Sequence, residues 1–199
     1  MFPERIETDR LVLERFCEEN VDLFEFYRVC SDADGVEEMA EVTRYMPWDP
    51  HVTVDESKEF VDRCEDQWEE GEAATYAIRP RKGEAGAGQF AGAGGLHLDW
   101  ERRTARLGTW LRKRFWGRGY SGERAAALIE IAFERLDLEV VAVTHHVDNE
   151  KSRRAIEKYV ESHGGRCEGR LRNWVPYGEE VADEYRYTIT QEEYRAATG

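Results

Sequence analysis

The stretch Trp116-Gly117-Arg118-Gly119-Tyr120-Ser121-Gly122 is where the sequence concentrates its chemistry. Glycines at 117 and 119 leave the backbone bare, able to turn sharply and to approach a ligand closely. The residues after them read as the start of a helix, whose first N–H groups lack intrahelical partners and carry the positive end of the dipole. A diphosphate suits such a place. A plain strand-to-helix turn would be written with the same glycines. The letters through Gly122 also spell G-x-G-x-x-G, with Asp148 downstream, the pattern of a dinucleotide fingerprint. That fingerprint follows the first strand of a parallel sheet. Here about five strand patterns precede it, several antiparallel in character, and only one strand–helix unit and a hairpin follow. A nicotinamide-type oxidoreductase therefore ranks last among the readings kept here.

Other groups able to do chemistry are sparse. His97 and Asp99 alternate on one face of a strand, opposite Leu96 and Leu98, so both can face an acceptor pocket or simply solvent. His145 and His146 are adjacent and face opposite ways in a strand. Cys17, Cys30, Cys64 and Cys167 form no C-x-x-C pair, and the histidines have no H-E-x-x-H spacing, so no metal is expected. The cysteines read as reduced, mostly buried thiols.

The elements that must position these groups are legible. Residues 10–16 alternate as a strand. Asn20-Val21-Asp22 opens a helix with Val21, Leu23, Phe24 and Tyr27 on one side, and 31–52 is irregular and acidic. A second helix spans 54–70, with Asp55 able to cap it and Phe60, Val61, Cys64 and Trp68 at helical spacing. Strands follow at 74–80, 89–99 and 104–112, the first two joined by a Gly/Ala-rich turn at 83–88. The glycine loop leads into a helix over 121–136, striped by Ala125, Leu128, Ile129, Ala132 and Leu136. The apolar run 138–144 suits a strand covered on both faces. A helix over 150–163 and two strands near 166–175 and 183–190, around a Pro176-Tyr177-Gly178 turn, complete a mixed α/β domain expected to occupy 1–199 as one unit.

With these elements in place, the loop resembles motif A of the GNAT superfamily, in which an Arg/Gln-x-x-Gly-x-Gly/Ala loop holds the pyrophosphate of coenzyme A. Phe115-Trp116-Gly117-Arg118-Gly119-Tyr120 is similar to the RimJ/RimL branch, the N-terminal acetyltransferases of ribosomal proteins. Three further segments resemble that branch in the same order: Thr8-Asp9-Arg10-Leu11-Val12-Leu13, Leu107-Gly108-Thr109-Trp110-Leu111, and Asn149-Glu150-Lys151-Ser152 with Ile156-Glu157-Lys158. The resemblance implies a mostly antiparallel, twisted sheet with helices on both faces, splayed between its fourth and fifth strands where the pantetheine arm inserts.

The same resemblance assigns roles. Trp116, Gly117, Arg118, Gly119, Tyr120, Ser121 and Gly122 would bind the pyrophosphate of acetyl-CoA. The backbone of Trp110, Leu111 and Arg112 would bond the pantetheine amides, with Asn149 on the arm's other side. Asn149 could equally be a helix N-cap, as could Asp148. Acetyl transfer to an amine needs a neutral nucleophile, a stabilised oxyanion and a proton for the departing thiolate. Ser152 is the candidate acid, with Tyr159 in reserve, because the place where many members carry tyrosine is Ile156. Arg106 stands where relatives often have glutamate, which leaves His97 and Asp99 as candidate bases and a catalytically silent coenzyme A-binding module as the alternative. Glu37, Glu38, Glu41 and Asp49 could draw a cationic amine or be solvated surface. Val160-Glu161-Ser162-His163 looks inserted before Gly164-Gly165, implying a longer helix or loop. The implied acceptor is a primary amine, a peptide or protein N-terminus ahead of a small molecule, and a homodimer is compatible with the branch.

Composition bounds the partners. The net charge is -14, which argues against general nucleic-acid binding. No apolar run approaches a membrane span, and Met1-Phe2-Pro3-Glu4-Arg5 lacks the order of a signal peptide, so a cytoplasmic location is expected. The basic set holds 23 arginines and 5 lysines. Abundant carboxylates with scarce lysine fit a halophilic cytosol, where salt screens self-repulsion; arginine-rich codons of a high-GC genome give the same skew.

Overall fold

The computed structural model describes every residue except Asp34, Glu37, Gly178 and Glu179. Glu37 and Gly178, both named above, thus lie outside the described residues. The chain runs β1 (Arg5–Glu7), β2 (Leu11–Arg15), α1 (Leu23–Ser31), α2 (Met39–Val42), α3 (Val54–Glu70), β3 (Ala73–Pro80), β4 (Gly92–Asp99) and β5 (Thr104–Leu111). It continues with α4 (Tyr120–Glu130), β6 (Val140–His146), α5 (Glu150–Ser162), β7 (Arg166–Tyr177), β8 (Glu180–Thr190) and α6 (Gln191–Thr198). The strands form one sheet in the order β1-β2-β3-β4-β5-β6-β8-β7. Every neighbouring pair is antiparallel except β5–β6.

Alternation along the strands builds a core on each face. On one, Leu11, Leu13, Ile78, Leu107 and Val143 meet Leu128 and Ile129 of α4 and Ile156 of α5. On the other, Phe16, Phe90 and Trp110 meet Phe26 of α1 and Val61 and Cys64 of α3. β3 and β4 approach closely because β4 carries glycine: a Cβ on Gly95 would lie 2.0 Å from the Ala74 carbonyl oxygen.

The parallel pair creates the gap that matters. β5 and β6 stay in register only from Thr104↔Val140 to Leu107↔Val143. Beyond that, Gly108–Leu111 remain paired to β4 and Thr144–His146 to β8, so the two strands diverge. β5 and β6 are the fourth and fifth strands of the sequence reading, displaced by one because the short β1 precedes them. The expected splay is present.

Several local expectations need correction. Phe24 is 65% exposed, and α1 buries Phe26, Val29 and Cys30 instead, so its apolar face is rotated from the one read off the sequence. The cap of α3 is Thr53, whose hydroxyl accepts from Glu56 N, rather than Asp55. The 31–52 segment contains α2 and a 3-10 turn at Thr43–Tyr45. Regular α-helix in α4 stops at Glu130 and continues as a π turn over Ile131–Arg135. Pro176 and Tyr177 belong to β7, paired with Val181 and Glu180. α6 had no counterpart in the periodicity; Thr190 and Glu193 start it with a complete capping box. The insertion continues α5 to Ser162, and the His163 ring stacks on Tyr194 of α6 at 6.2 Å. Cys17, Cys30 and Cys64 are buried, whereas Cys167 is exposed.

Candidate active site

The glycine loop sits where β5 hands over to α4. Gly117 and Gly119 both have left-handed backbones, φ +73° and +80°. A Cβ on Gly117 would meet nothing within 4 Å, so the loop's outer surface is open to a ligand. Gly119 is the N-cap of α4 and offers no side-chain cap. The first capping-turn bond runs from Glu123 N to Gly119 O, which leaves the amides of Tyr120, Ser121 and Gly122 ahead of it, at the positive end of the helix.

The loop is braced from behind by the Thr8-Asp9-Arg10 segment. Thr8 Oγ1 and Arg10 N donate to Glu123 Oε1 at 2.6 and 2.7 Å, and Arg10 Nε donates to Glu123 Oε2 at 2.7 Å. Desolvation would raise the Glu123 carboxyl, but the bonds from Thr8 and Arg10 hold it below its usual range. Arg10 Nη1 also donates to the Arg118 carbonyl. Tyr120 donates to Glu84 Oε2, and Arg118 to the carbonyls of Ala85 and Arg114, tying the loop to the 83–88 turn. These bonds explain why an N-terminal motif and a mid-chain motif occur together: one sets the shape of the other.

Loop and splay open into one cleft of about 1190 Å³. Trp110 and Leu111 of β5 line one wall, with Trp116, Gly117, Gly119, Tyr120, Ser121 and Gly122 at the loop end. Asn149, Ser152 and Tyr159 of α5 line the other. Two residues expected to bind coenzyme A lie elsewhere, and the candidate bases His97 and Asp99 are likewise outside the lining. Arg112 donates its N–H to Ala91 O, accepts from Phe115 N, and sends its guanidinium to the Phe90 carbonyl, so its backbone is already spent. Arg118 faces the 83–88 turn.

Asn149, not Asp148, caps α5, its Oδ1 accepting from Ser152 N at 3.0 Å. The amide nitrogen of Asn149 and the hydroxyl of Ser152 have no partner among the described residues. Tyr159 is buried, and burial pushes its hydroxyl up to about 12. Trp116 Nε1 donates to the Leu111 carbonyl at 2.7 Å, closing the corner between strand and loop.

On the face of α1–α3 the cleft is walled by Tyr45 and Met46. Tyr45 stands 4.8 Å from the His146 ring, and Trp48 stands 5.5 Å from Trp110. Glu38 and Glu41, read as able to draw an amine or as solvated surface, are bound to lysine. Lys113 bonds both at 2.6 Å and Lys151 bonds Glu41 at 2.9 Å, which lowers the Glu41 carboxyl to about 2. Asp49 is exposed outside the cleft lining.

His97 and Asp99 part company. A Cβ built on Gly108, the first β5 residue past the last β5–β6 pair, would lie 3.9 Å from His97 Nε2, so the imidazole borders the apex of the splay. Its edge is exposed, yet desolvation against the sheet, and then the Arg106 guanidinium, hold it below the usual histidine range. Asp99 closes the β4–β5 turn, accepting from Arg102 N and pairing with its guanidinium. Missed by sequence reasoning are Thr109 and Tyr45 in the lining and Arg124 beneath it. Among the described residues Cys17, Glu19 and Glu65 bring ligand-type atoms within 4.8 Å of one another, outside the cleft. No described helix is long and apolar enough to cross a membrane.

Bare glycines over open space, free helix-terminal amides and a divergent parallel pair fit a long ligand with an anionic end and an amide-bearing arm. Known proteins agree with that geometry. A family model described as Acetyltransferase (GNAT) domain matches residues 10–159. The chain is 26% identical over 192 residues to the uncharacterized N-acetyltransferase p20 of Bacillus licheniformis, covering 96% of this chain and 98% of that protein. It is 28% identical over 189 residues to the uncharacterized N-acetyltransferase YnaD of Bacillus subtilis (strain 168), covering 95% and 98%. The crystal structure of RimL, a ribosomal L7/L12 alpha-N-protein acetyltransferase, superposes with a TM-score of 0.78 at 18% identity, covering 94% of each chain, a likeness of fold. The chain belongs to the GNAT acetyltransferases, in their RimJ/RimL-type family, and is an acyltransferase that uses acetyl-CoA as co-substrate.

Proposed function

We propose that the protein transfers the acetyl group of acetyl-CoA directly to a primary amine, with a protein or peptide N-terminus as acceptor. The observation that carries this is the continuous cleft joining the glycine loop to the β5–β6 splay. In this reading the pyrophosphate rests on the amides of Tyr120, Ser121 and Gly122, and the pantetheine arm runs between Leu111 and Asn149. The acceptor enters from the Tyr45 side. The amine nitrogen attacks the thioester carbon, the carbonyl oxygen becomes an oxyanion against backbone N–H groups of β5, and the C–S bond breaks as the tetrahedral intermediate collapses. His97 takes the amine proton directly or through water, because it borders the splay apex and is held neutral at pH 7 by the environment described above. Ser152 donates to the thiolate and relays a solvent proton to it, its own hydroxyl ending neutral.

The acceptor of RimL, the alpha-amine of ribosomal L7/L12, and the RimJ/RimL-type motifs favour an N-terminal amine over a small one. Incubating the protein with acetyl-CoA and a panel of N-terminal peptides, spermidine and aminoglycosides, with release of free thiol as readout, tests this. Turnover restricted to small polyamines would reject the peptide reading. No turnover with any amine, despite binding of coenzyme A, would favour the silent binding module suggested by Arg106.

Ser152→Ala is expected to lower kcat about 10- to 100-fold, the low end for a general acid because a thiolate leaves readily. Affinity for coenzyme A should hardly change, since the bond strengthens only as charge develops on sulfur. An unaltered kcat would take Ser152 out of the reaction.

The working medium is a further part of the proposal. With a net charge of -14 and 5 lysines, the surface repels itself until screened. The melting temperature should therefore climb from low to molar KCl. A flat profile would leave the charge skew to codon usage.

A further inference from the structure

The largest fully buried side chain in the protein is a cation. Arg124, in α4, is 1% exposed and sits among the apolar residues that join α4 to the sheet. Removing a guanidinium from water without an anion to meet it is strongly unfavourable. Yet no carboxylate pairs with it among the described residues; the adjacent Glu123 turns away to Thr8 and Arg10. Among the described residues Arg124 Nε has no partner, and Nη1 makes a long bond, 3.4 Å, to the Gly108 carbonyl. Its remaining polar neighbour is the hydroxyl of Tyr159. A buried, under-satisfied cation of this kind is a marker of function more than of stability.

Its position is informative. Gly108 is where β5 loses β6, so the guanidinium lies beneath the apex of the splay, on the α4–α5 side of the sheet. Tyr159 reaches it from α5 and also lines the cleft. Burial keeps the Tyr159 hydroxyl protonated and the guanidinium acts on it as a neighbouring charge and donor, so its own hydrogen is left to donate toward the cleft that Tyr159 lines. A donor backed by a cation in a dry environment is stronger than the same donor alone.

We propose that Arg124, acting through Tyr159, is a positioning residue that stabilises the sulfur anion released when the C–S bond breaks. The step rests on the acetyl-transfer reading. The electron pair of the C–S bond passes to sulfur, and the thiolate accepts a hydrogen bond from Tyr159, whose oxygen is held and polarised by Arg124. A solvent proton relayed through the Ser152 hydroxyl, which stays neutral, neutralises the sulfur, and the amine's proton leaves through His97. The charge of Arg124 never moves; it lowers the energy of the state in which sulfur is negative.

The test reads the thiol of bound coenzyme A, followed by thiolate absorbance against pH, with desulfo-coenzyme A as the ligand lacking sulfur. In the wild type the bound thiol should titrate about one unit or more below its ordinary value of roughly 8.5. Arg124→Met should return it to the free value and lower kcat about tenfold or more. Arg124→Lys should restore part of the shift, and affinity for desulfo-coenzyme A should stay within about twofold throughout. Should Arg124→Met not fold, Tyr159→Phe keeps the cation but removes its route to sulfur, and the shift should again shrink. A bound thiol with its ordinary pKa in the wild type, or a shift unchanged in a folded variant, overturns the proposal. Equal losses of affinity for coenzyme A and desulfo-coenzyme A would assign Arg124 to structure alone. If no amine is acetylated but the Arg124-dependent shift is present, the transfer reading fails and the anion site stands.

Discussion

Gly119→Asp should abolish the stabilisation of the protein by coenzyme A while leaving the unliganded fold close to wild type. A ligand that binds only the native state adds RT ln(1 + [L]/Kd), about 2.7 kcal/mol at ~100 Kd, and this increment should vanish. Gly119 has φ +80° and caps α4, and a Cβ there would meet only Arg10 Nη2, at 3.3 Å. Aspartate pays a modest left-handed strain but is also among the best N-caps, so the helix itself should tolerate it. The pyrophosphate should not, because the new carboxylate would occupy the amides of the first turn and repel a second anion. For the increment to vanish at that concentration Kd must rise well over about 100-fold, and kcat/KM for acetyl-CoA should fall by the same factor, a loss of more than about 2.7 kcal/mol of binding. A coenzyme A-induced melting shift equal to the wild type's would detach the loop from the ligand. Gly119→Ala, strained but uncharged, should fall between.

His97→Ala should cost about 100-fold in kcat, the lower range for a positioned base, and should change the shape of the pH profile. The base works only when neutral. Desolvation and the Arg106 cation lower the pKa of His97, so its acid limb lies below the ordinary value of roughly 6.5, and at pH 7 the group is already competent. Rate should therefore fall as pH drops through that depressed value. An α-amine acceptor contributes its own limb near 7.7–8.0, which belongs to the substrate and should persist in the variant. In His97→Ala only the substrate limb should remain. Retention of both limbs would move the base elsewhere. Arg106→Glu offers the converse check: a carboxylate opposite His97 in the β4–β5 register should shift the histidine limb upward.

Much of the architecture was written in pattern. The α3 helix occupies the predicted 54–70, and the apolar run 138–144 became β6, shifted two residues onward to Val140–His146. These succeed because periodicity reports burial, and both segments are long and strongly patterned. α6 failed for the opposite reason: eight residues bury Tyr194 alone, too little for a period, although Thr190 and Glu193 carried the capping signal. Phe24 shows a second limit, since a short amphipathic helix with apolar residues on several sides does not say which side the sheet will take.

The site was legible where backbone geometry demanded a residue type. Positive φ favours glycine at 117 and 119, and the cap of α5 favours a residue such as Asn149, so these letters carried a backbone signal. Charge was less transparent. Glu38 and Glu41 looked free until Lys113 and Lys151, distant in sequence, were found holding them. Asp99 resembled a pocket residue and serves a turn. Arg124 interrupts no pattern a reader would notice, because a lone arginine in an amphipathic helix reads as solvent-facing. Only the packing of α4 against α5 and β5 places it inside.

The four-residue register between β5 and β6 also has a mechanical meaning. Apart from the three-pair join of the edge strand β1, this seam is the shortest join in the eight-stranded sheet, and among the described strands the parallel one. One half, β1 to β5, is stitched by four antiparallel joins; the other, β6, β8 and β7, by two. Load applied across the molecule would concentrate at the seam, and breathing should be largest where Thr104–Leu107 face Val140–Val143. Amide hydrogen exchange would register this as a line of faster exchange running through the middle of the sheet, in a position where sheets are usually slowest. A pantetheine arm lying in the gap would bond both lips, so acetyl-CoA should slow exchange along that line more than anywhere else. The co-substrate would then complete the sheet as well as react in it.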